Sequence, residues 1–294
     1  MFRVAQFNIL AKNCSLTKYF PYAAIKDEFW DERTFPAYLD WERRAALLLR
    51  QIKQIQSDIF CLCEVDEPST FKTDGFSSHF RPRPGRSEGC MISWRSDRFE
   101  LQPGSERAIE FPASSRVAAM VDLTDLKTGK LVRVASVHLY WDATSPQQLH
   151  EAEELVAFLN QLTPLPTIIC ADLNNKRDSA TFALMTTAGF RDCFSIAKVK
   201  APEFTSVVPD VWRKNGEFQK GRREEIDFIL CKGSLIAFNP VVAISGSIQT
   251  GSRGVVIEQG IPKRSDTAPL EEGIPNEFHG SDHFPVVCDL INEG

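Results

Sequence analysis

Short apolar runs that stop on a polar residue recur along this chain. Arg3-Val4-Ala5-Gln6-Phe7-Asn8-Ile9-Leu10 alternates apolar and polar positions and predicts a strand ending at Asn8. Asp58 to Val65 is nearly continuously apolar, as in a strand buried on both faces, and closes on the acidic Glu64-Val65-Asp66-Glu67. Cys90 to Trp94 reads as a further strand. Arg116 to Asp122 and Leu131 to Leu139 predict a hairpin turning at Lys127-Thr128-Gly129-Lys130, and its second strand delivers His138. Pro166 to Ala171 leads to Asp172-Leu173-Asn174, Glu225 to Cys231 carries Asp227, and Gly280-Ser281-Asp282-His283-Phe284-Pro285 opens into Val286-Val287-Cys288-Asp289-Leu290.

Helical spacing appears between these runs. Trp41, Ala45, Leu48, Ile52 and Ile55 follow an N-cap at Asp40, with Arg43, Arg44, Arg50 and Lys53 on the other faces. Ser145-Pro146 starts a second helix through Leu149, Ala152, Val156, Leu159 and Leu162. Asp178 to Ala188 predicts a short third helix stopped at Gly189. The segments 68–90 and 200–224 read as basic loops, and 11–39 as a long aromatic-rich loop with Tyr19, Phe20, Tyr22 and Trp30. Residues 246–280 are rich in Gly, Pro and Ser. Strands and helices alternate at both ends, which predicts one α/β domain spanning 1–294.

Composition narrows the function classes. The chain has 294 residues, 43% hydrophobic and 25% charged, with a net charge of −5. No global basic field is present to hold a long duplex, so nucleic acid would be met through local patches and metal ions. The eight cysteines include several inside apolar runs and form no Cys-x2-Cys zinc pattern, which predicts free thiols in a reducing compartment. The N-terminal residues lack a signal-peptide pattern, and no run reaches the roughly 18 apolar residues of a membrane span. The expectation is an intracellular, cytoplasmic monomer with no membrane partner.

Asn8, Glu64, His138, Asp172 with Asn174, Asp227, and Asp282 with His283 thus stand at or near the ends of six apolar strands. Each alone has a plainer reading: a strand-ending Asn, a solvated acidic loop, a core histidine, a turn before a helix. Together they need a counter-charge, because buried carboxylates are costly. No run of Lys or Arg adjoins them in sequence, so a divalent cation is expected. Oxygen ligands and an amide suit Mg2+ or Mn2+ better than zinc. The chemistry that fits is metal-assisted attack of water on a phosphoester. An imidazole beside a carboxylate is best explained as hydrogen-bonded to it.

In this order the motifs Gln6-Phe7-Asn8-Ile9-Leu10, Cys63-Glu64-Val65-Asp66, Val137-His138-Leu139, Ala171-Asp172-Leu173-Asn174, Ile226-Asp227-Phe228 and Ser281-Asp282-His283 resemble the endonuclease/exonuclease/phosphatase superfamily. Asn8-Ile9-Leu10-Ala11, His138-Leu139-Tyr140-Trp141-Asp142 and the closing Ser281 to Asp289 resemble its deadenylase branch, with nocturnin, the angel proteins and the 2′-phosphodiesterase. The resemblance implies a four-layer αββα sandwich of two packed mixed β-sheets, and Mg2+-dependent removal of nucleotides from RNA 3′ ends or cleavage of related phosphoesters. It implies that Asn8, Glu64 and Asp282 hold the metal. Asp172 would orient or activate the nucleophile, and Asn174 would position it or the phosphate. His138 would contact the phosphate, and His283, oriented by Asp227, would stabilise it. Arg222, Arg223 and Trp141 are the candidate substrate-binding residues.

Two departures stand out. Cys63 occupies the place where the branch usually has Gln, and Gly221 to Ile226 lacks the aromatic that stacks on adenine, which leaves poly(A) preference open. The leading reading is a phosphodiesterase on RNA 3′ ends or a nucleotide-like phosphoester. The alternatives are a phosphatase on a small phosphorylated molecule and a non-catalytic binding module, for which no gap in the motif set speaks.

Overall fold

A computed structural model of the chain describes residues 1–13, 39–208, 211–212, 218–219, 221–243, 248–251, 254–257 and 279–294. Tyr19, Phe20, Tyr22, Trp30, Lys214 and Lys220 lie outside the described residues, as does most of 246–280. In chain order the elements are β1 (Phe2–Asn8), α1 (Trp41–Ile55), β2 (Ile59–Val65), a 3-10 turn at Pro68–Phe71, β3 (Phe76–Pro82), β4 (Gly89–Arg95), β5 (Phe99–Leu101), β6 (Arg107–Phe111), β7 (Arg116–Asp125) and β8 (Lys130–His138). There follow α2 (Pro146–Gln161), β9 (Thr167–Asp172), α3 (Ala180–Thr187), β10 (Arg191–Asp192), α4 (Cys193–Ala197), β11 (Ser206–Val208), β12 (Val211–Trp212), β13 (Phe218–Gln219) and β14 (Arg222–Glu224). The last are β15 (Asp227–Lys232), β16 (Leu235–Val242), β17 (Ile248–Gly251), β18 (Gly254–Ile257) and β19 (Val286–Asn292).

Two mixed sheets carry the fold. One has six strands in the order β16-β19-β1-β2-β4-β3, the other seven, β10-β15-β9-β8-β7-β5 with β6 beside β7. Their facing sides bury Cys61, Cys63, Ile92, Cys170, Ile229 and Cys288 among the residues of one apolar cluster. Helix α1 covers the outer face of the first sheet through Leu48, Ile52 and Ile55. Helices α2 and α3 cover the second through Ala152, Leu155, Phe182 and Met185. This is the four-layer αββα sandwich, and its double burial explains why β2, β9 and β15 read as unbroken apolar runs. The seven described cysteines are free and buried, so they pack as small apolar side chains.

The predicted caps are in place: Asp40 accepts from the amide of Arg43, and Ser145 from that of Gln147. Three sequence readings need correction. Residues 68–90 are not simply a loop. Phe76–Pro82 forms the edge strand β3, whose half-exposed residues hide the period-2 signal. Part of 200–224 is likewise paired, β11 against β14. Arg44 does not lie on a solvent face of α1; it is 0% exposed.

Arg44 shows how the sheet ends are held. Its guanidinium donates to the carbonyls of Ile9 and Leu10 and, at 2.7 Å, to that of Gly280. One side chain thus staples the exit of β1 to the turn that carries Asp282 and His283. Gly280 is required by this close approach, because a Cβ there would stand 2.8 Å from the Arg44 carbonyl and from Leu48 Cγ.

Candidate functional site

Strand register sets one row of the site. Parallel pairing of β8 with β9 puts His138 level with Asp172, and antiparallel pairing of β9 with β15 puts Asp227 level with Asp172 on the other side. The facing sheet supplies Asn8, level with Cys63 on the neighbouring strand and so beside Glu64. The turn before β19 adds Asp282 and His283.

The two sheets meet through Asn8. Its Nδ2 donates to Asp172 Oδ2 at 2.8 Å and to Glu64 Oε1 at 3.2 Å, while its Oδ1 accepts from the amide of Leu10. That amide fixes which end of the side chain faces the carboxylates. Asn8 therefore spaces the two acids, and only the second lone pair of its oxygen is left for a cation. Glu64 also accepts from the amide of Ala11 at 3.0 Å, and Glu67 takes hydrogen bonds from Lys12 and Trp41 Nε1. The acidic run after β2 is thus tied to neighbouring chain rather than free in solvent.

Glu64 and Asn174 both have left-handed backbone, with φ of 60° and 51°. Glu64 sits in a register shift between Leu62 and Val65. A non-glycine residue in that region is strained, and such strain is found where a side chain must be aimed. Asn174 Nδ2 donates to the carbonyl of Leu139 and its amide to Asp172 Oδ1, so it ties the end of β9 to the end of β8.

His283 is held on one side by Asp227, Nδ1 to Oδ2 at 2.8 Å, and its Nε2 is 3.9 Å from Asp172 Oδ2. Gln6 Nε2 donates to the other oxygen of Asp227, and the Thr205 hydroxyl donates to Oδ2 while accepting from the amides of Ile226 and Asp227. Burial alone would lower the pKa of His283, but Asp227, Asp282 and Asp172 overcome it and raise it well above the usual imidazole value. Burial and the facing Asp227 push Asp172 up to about 7, and burial raises Asp282.

His138 behaves oppositely. Burial, then Arg116, Arg83 and His283, hold its pKa well below the ordinary value. Arg116 Nη1 lies 2.9 Å from Nδ1 and 3.1 Å from Nε2 of the ring, and Asp172 Oδ2 is 3.5 Å from Nε2. A neutral His138 exchanges hydrogen bonds but adds no positive charge, in contrast to His283. Basic residues reach the site from distant parts of the chain, Arg116, Arg83 and Arg44, so no run of charge marks them in sequence. Gln6 and Thr205 were missed for the same reason, although Gln6 lies two positions from Asn8 in a strand, on the same face.

The candidate substrate-binding residues are more scattered. Trp141 is 61% exposed, just past the end of β8. Its turn is anchored by α2: Glu151 accepts from the amide of Tyr140, and Gln148 donates to the Tyr140 carbonyl. Arg222 is paired with Glu224 at 3.1 Å, and the Arg223 guanidinium lies 5.7 Å from the centre of the Phe204 ring.

Four carboxylates, Glu64, Asp172, Asp227 and Asp282, thus approach one another with one imidazolium among them. Atoms of Asp172, Asp227 and His283 lie within 4.8 Å of one another, a spacing a metal ion accepts. His283 and Asp227 are already satisfied by each other, by Gln6 and by Thr205, so the open demand for positive charge lies towards Glu64, Asp172 and Asp282. The raised carboxyls of Asp172 and Asp282 express that demand, and a hard divalent cation fits the oxygen donors.

Residues 5–283 match the family described as Endonuclease/Exonuclease/phosphatase. Carbon catabolite repressor protein 4 homolog 4 of Arabidopsis thaliana is 24% identical over 98% of this chain and 77% of its own length. Mouse nocturnin is 24% identical over 86% of this chain, which spans 59% of the mouse protein. A solved structure of ANGEL2, described as a 2′,3′-cyclic phosphatase in complex with adenosine-2′,3′-vanadate, superposes with a TM-score of 0.70 at 18% identity, covering 98% of this chain and 95% of the other. At that identity the superposition establishes the fold.

Proposed function

The chain belongs to the endonuclease/exonuclease/phosphatase family, whose members are phosphoester hydrolases, and on that premise we propose that it is a divalent-metal-dependent phosphodiesterase that shortens RNA from the 3′ end. Residues 1–294 would serve as one catalytic domain. The observation that carries the reading is the convergence, from both sheets, of Asn8, Glu64, His138, Asp172, Asp227, Asp282 and His283 on one buried cluster. Sequence-distant acids are not brought together and buried without a task, because their mutual repulsion opposes folding.

Glu64 and Asp282, with Asp172 at their border and Asn8 spacing them, are the residues that would hold Mg2+ or Mn2+. Bound there, the cation would supply Lewis-acid polarisation of the phosphoryl group and offset the carboxylate charge. Asp172, with its carboxyl raised to about 7, orients the attacking water and receives its proton at Oδ2. His283, kept charged by Asp227, donates from Nε2 to a phosphoryl oxygen as negative charge builds. His138 donates a hydrogen bond to the same group, and Asn174 fixes the loop beside Asp172. Trp141 offers an exposed ring for a base near the 3′ end. Labelled RNA incubated with the protein and Mg2+ should shorten, and Asp172→Ala should abolish it. Intact RNA with the unaltered protein would refute the proposal.

A second reading is hydrolysis of a small phosphorylated molecule, such as a nucleotide or a cyclic phosphate end. It is favoured by the pairing of Arg222 with Glu224, which removes one cation from a long backbone path, and by the ANGEL2 likeness. Phosphate release from a panel of small substrates, with RNA left intact, would select it.

A further inference from the structure

We propose that Arg116 is a substrate-binding residue whose guanidinium, side by side with His138, forms an oxyanion subsite for the phosphoryl group being hydrolysed. The inference rests on the phosphoester-hydrolase reading of the same site and adds to it a residue outside the motif set.

Arg116 opens β7 and is 8% exposed. Its side chain meets the His138 ring through Nη1, and its Nε has no hydrogen-bond partner. Among the described residues, no carboxylate oxygen lies within ion-pair distance of its guanidinium. Other buried or half-buried arginines each have carboxylates or carbonyls against the guanidinium, although Arg98 Nε also lacks a partner. Arg98 pairs with Asp125 at 2.7 Å, Arg133 with Asp122 at 2.7 Å, and Arg3 with Asp289 at 2.8 Å. Arg44 is held by three carbonyls. A buried cation left without a carboxylate opposes folding unless something else compensates its charge. In this protein the compensation fits an anion that arrives with the substrate.

The surroundings specify the ligand. Arg83 stands close to Arg116, but Glu88 takes its Nη1 at 2.7 Å, and the carbonyls of Ser114 and Ser115 take its remaining donors. Arg83, Glu88, Glu64 and His138 line one small cleft. Arg116 adjoins this cleft through its contact with His138, whose Nε2 lies 3.5 Å from Asp172 and 3.9 Å from Glu64. Guanidinium N–H groups next to an imidazole N–H match the spread oxygens of a phosphoryl group. An anion bound there adjoins the carboxylates proposed to hold the cation, which is where the reacting phosphorus must be.

Orthophosphate, the simplest ligand of this class, tests the assignment without needing turnover. Calorimetric titration in the presence of Mg2+ should show Arg116→Ala binding orthophosphate about tenfold or more weakly than the unaltered protein, as for loss of one charge-assisted contact, with Arg116→Lys in between. Thermal midpoints should stay equal or rise, because the substitution removes an uncompensated buried charge. Orthophosphate affinity in Arg116→Ala within about twofold of the unaltered protein would overturn the proposal. So would a marked fall in thermal midpoint with affinity unchanged, which assigns Arg116 to structure. Failure of the unaltered protein to bind orthophosphate would overturn it as well. RNA shortening is scored separately: phosphate binding lost in Arg116→Ala while RNA stays intact with every variant would sustain the subsite and sink the RNA reading.

Discussion

His283 donates from Nδ1 to Asp227 Oδ2 at 2.8 Å, and the two residues are 56 positions apart. Asp282, its neighbour in sequence, is turned to other work, its carbonyl accepting from the amide of Val207 and the hydroxyl of Ser206. Asp227 is pinned by Gln6 and Thr205 as well, so the imidazole meets a carboxylate that cannot swing away.

Replacing that carboxylate should change the charge of His283 before anything else. Asp227 raises the His283 pKa, so Asp227→Asn lowers it, and the imidazolium is lost at a lower pH. The alkaline limb of the pH–rate profile should therefore move to lower pH, with turnover down about 10- to 100-fold at neutrality. Metal affinity, read by calorimetry, should stay near that of the unaltered protein. An equal fall in both would make Asp227 a ligand instead.

Divalent cation should stabilise the fold. With Mg2+ or Mn2+ at about 100 times the dissociation constant, unfolding should cost about 2.7 kcal/mol more than after chelation. Glu64→Gln should lose most of this gain while leaving the metal-free protein as stable as before or more so, since it removes one of the crowded acids. Denaturant melts with and without chelator measure it, and an unchanged metal response would remove Glu64 from the ligand set.

His279 gives a stability signature on the acid side. Burial, then the charge of Arg50, depresses its pKa to about 3, and its ring packs edge-on to Phe284 and meets Gln51. The unfolded chain takes up the proton near pH 6.5, the folded one only near 3, so the stabilisation is complete above 6.5 and is lost as pH falls. Stability should drop with a limiting slope of about 1.4 kcal/mol per pH unit from this group. In His279→Gln the slope between pH 6 and 4 should be shallower by that amount; an identical slope would mean that His279 is protonated in the fold.

Arg44 should be intolerant of shortening. Arg44→Met leaves the carbonyls of Ile9, Leu10 and Gly280 short of a donor and should destabilise by about 2–4 kcal/mol. Denaturation midpoints test it, and a loss below about 1 kcal/mol would mean that water replaces the guanidinium.

What the sequence could disclose follows from how each residue is placed. Asn8, Glu64, His138, Asp172 and Asp227 each interrupt an apolar run at its end, so local pattern exposes them. The pairing of β9 with β15 was not readable, yet that register is what sets Asp227 against Asp172. Arg116, Arg83 and Arg44 carry ordinary surface-type charge in sequence, and only packing shows Arg116 and Arg44 buried and Arg83 half-buried. β3 and β16 escaped because these edge strands mix exposed and partly buried positions without a clean alternation. The neutral state of His138 was out of reach in principle, since it depends on burial in the fold and then on a guanidinium 22 positions away.

Pairing of β1 with β19 joins the ends of the described chain, Phe2 opposite Leu290 and Gln6 opposite Val286. This has a meaning for synthesis. A chain still growing on the ribosome presents Asn8, Glu64, His138 and Asp172 long before Asp282 and His283 exist. Until β19 emerges, β1 has no partner on that edge, Arg44 has no Gly280 to grip, and Asp227 has no imidazole to charge. The acid cluster is thus assembled only after β19 has been made, and the earlier strands alone do not complete it.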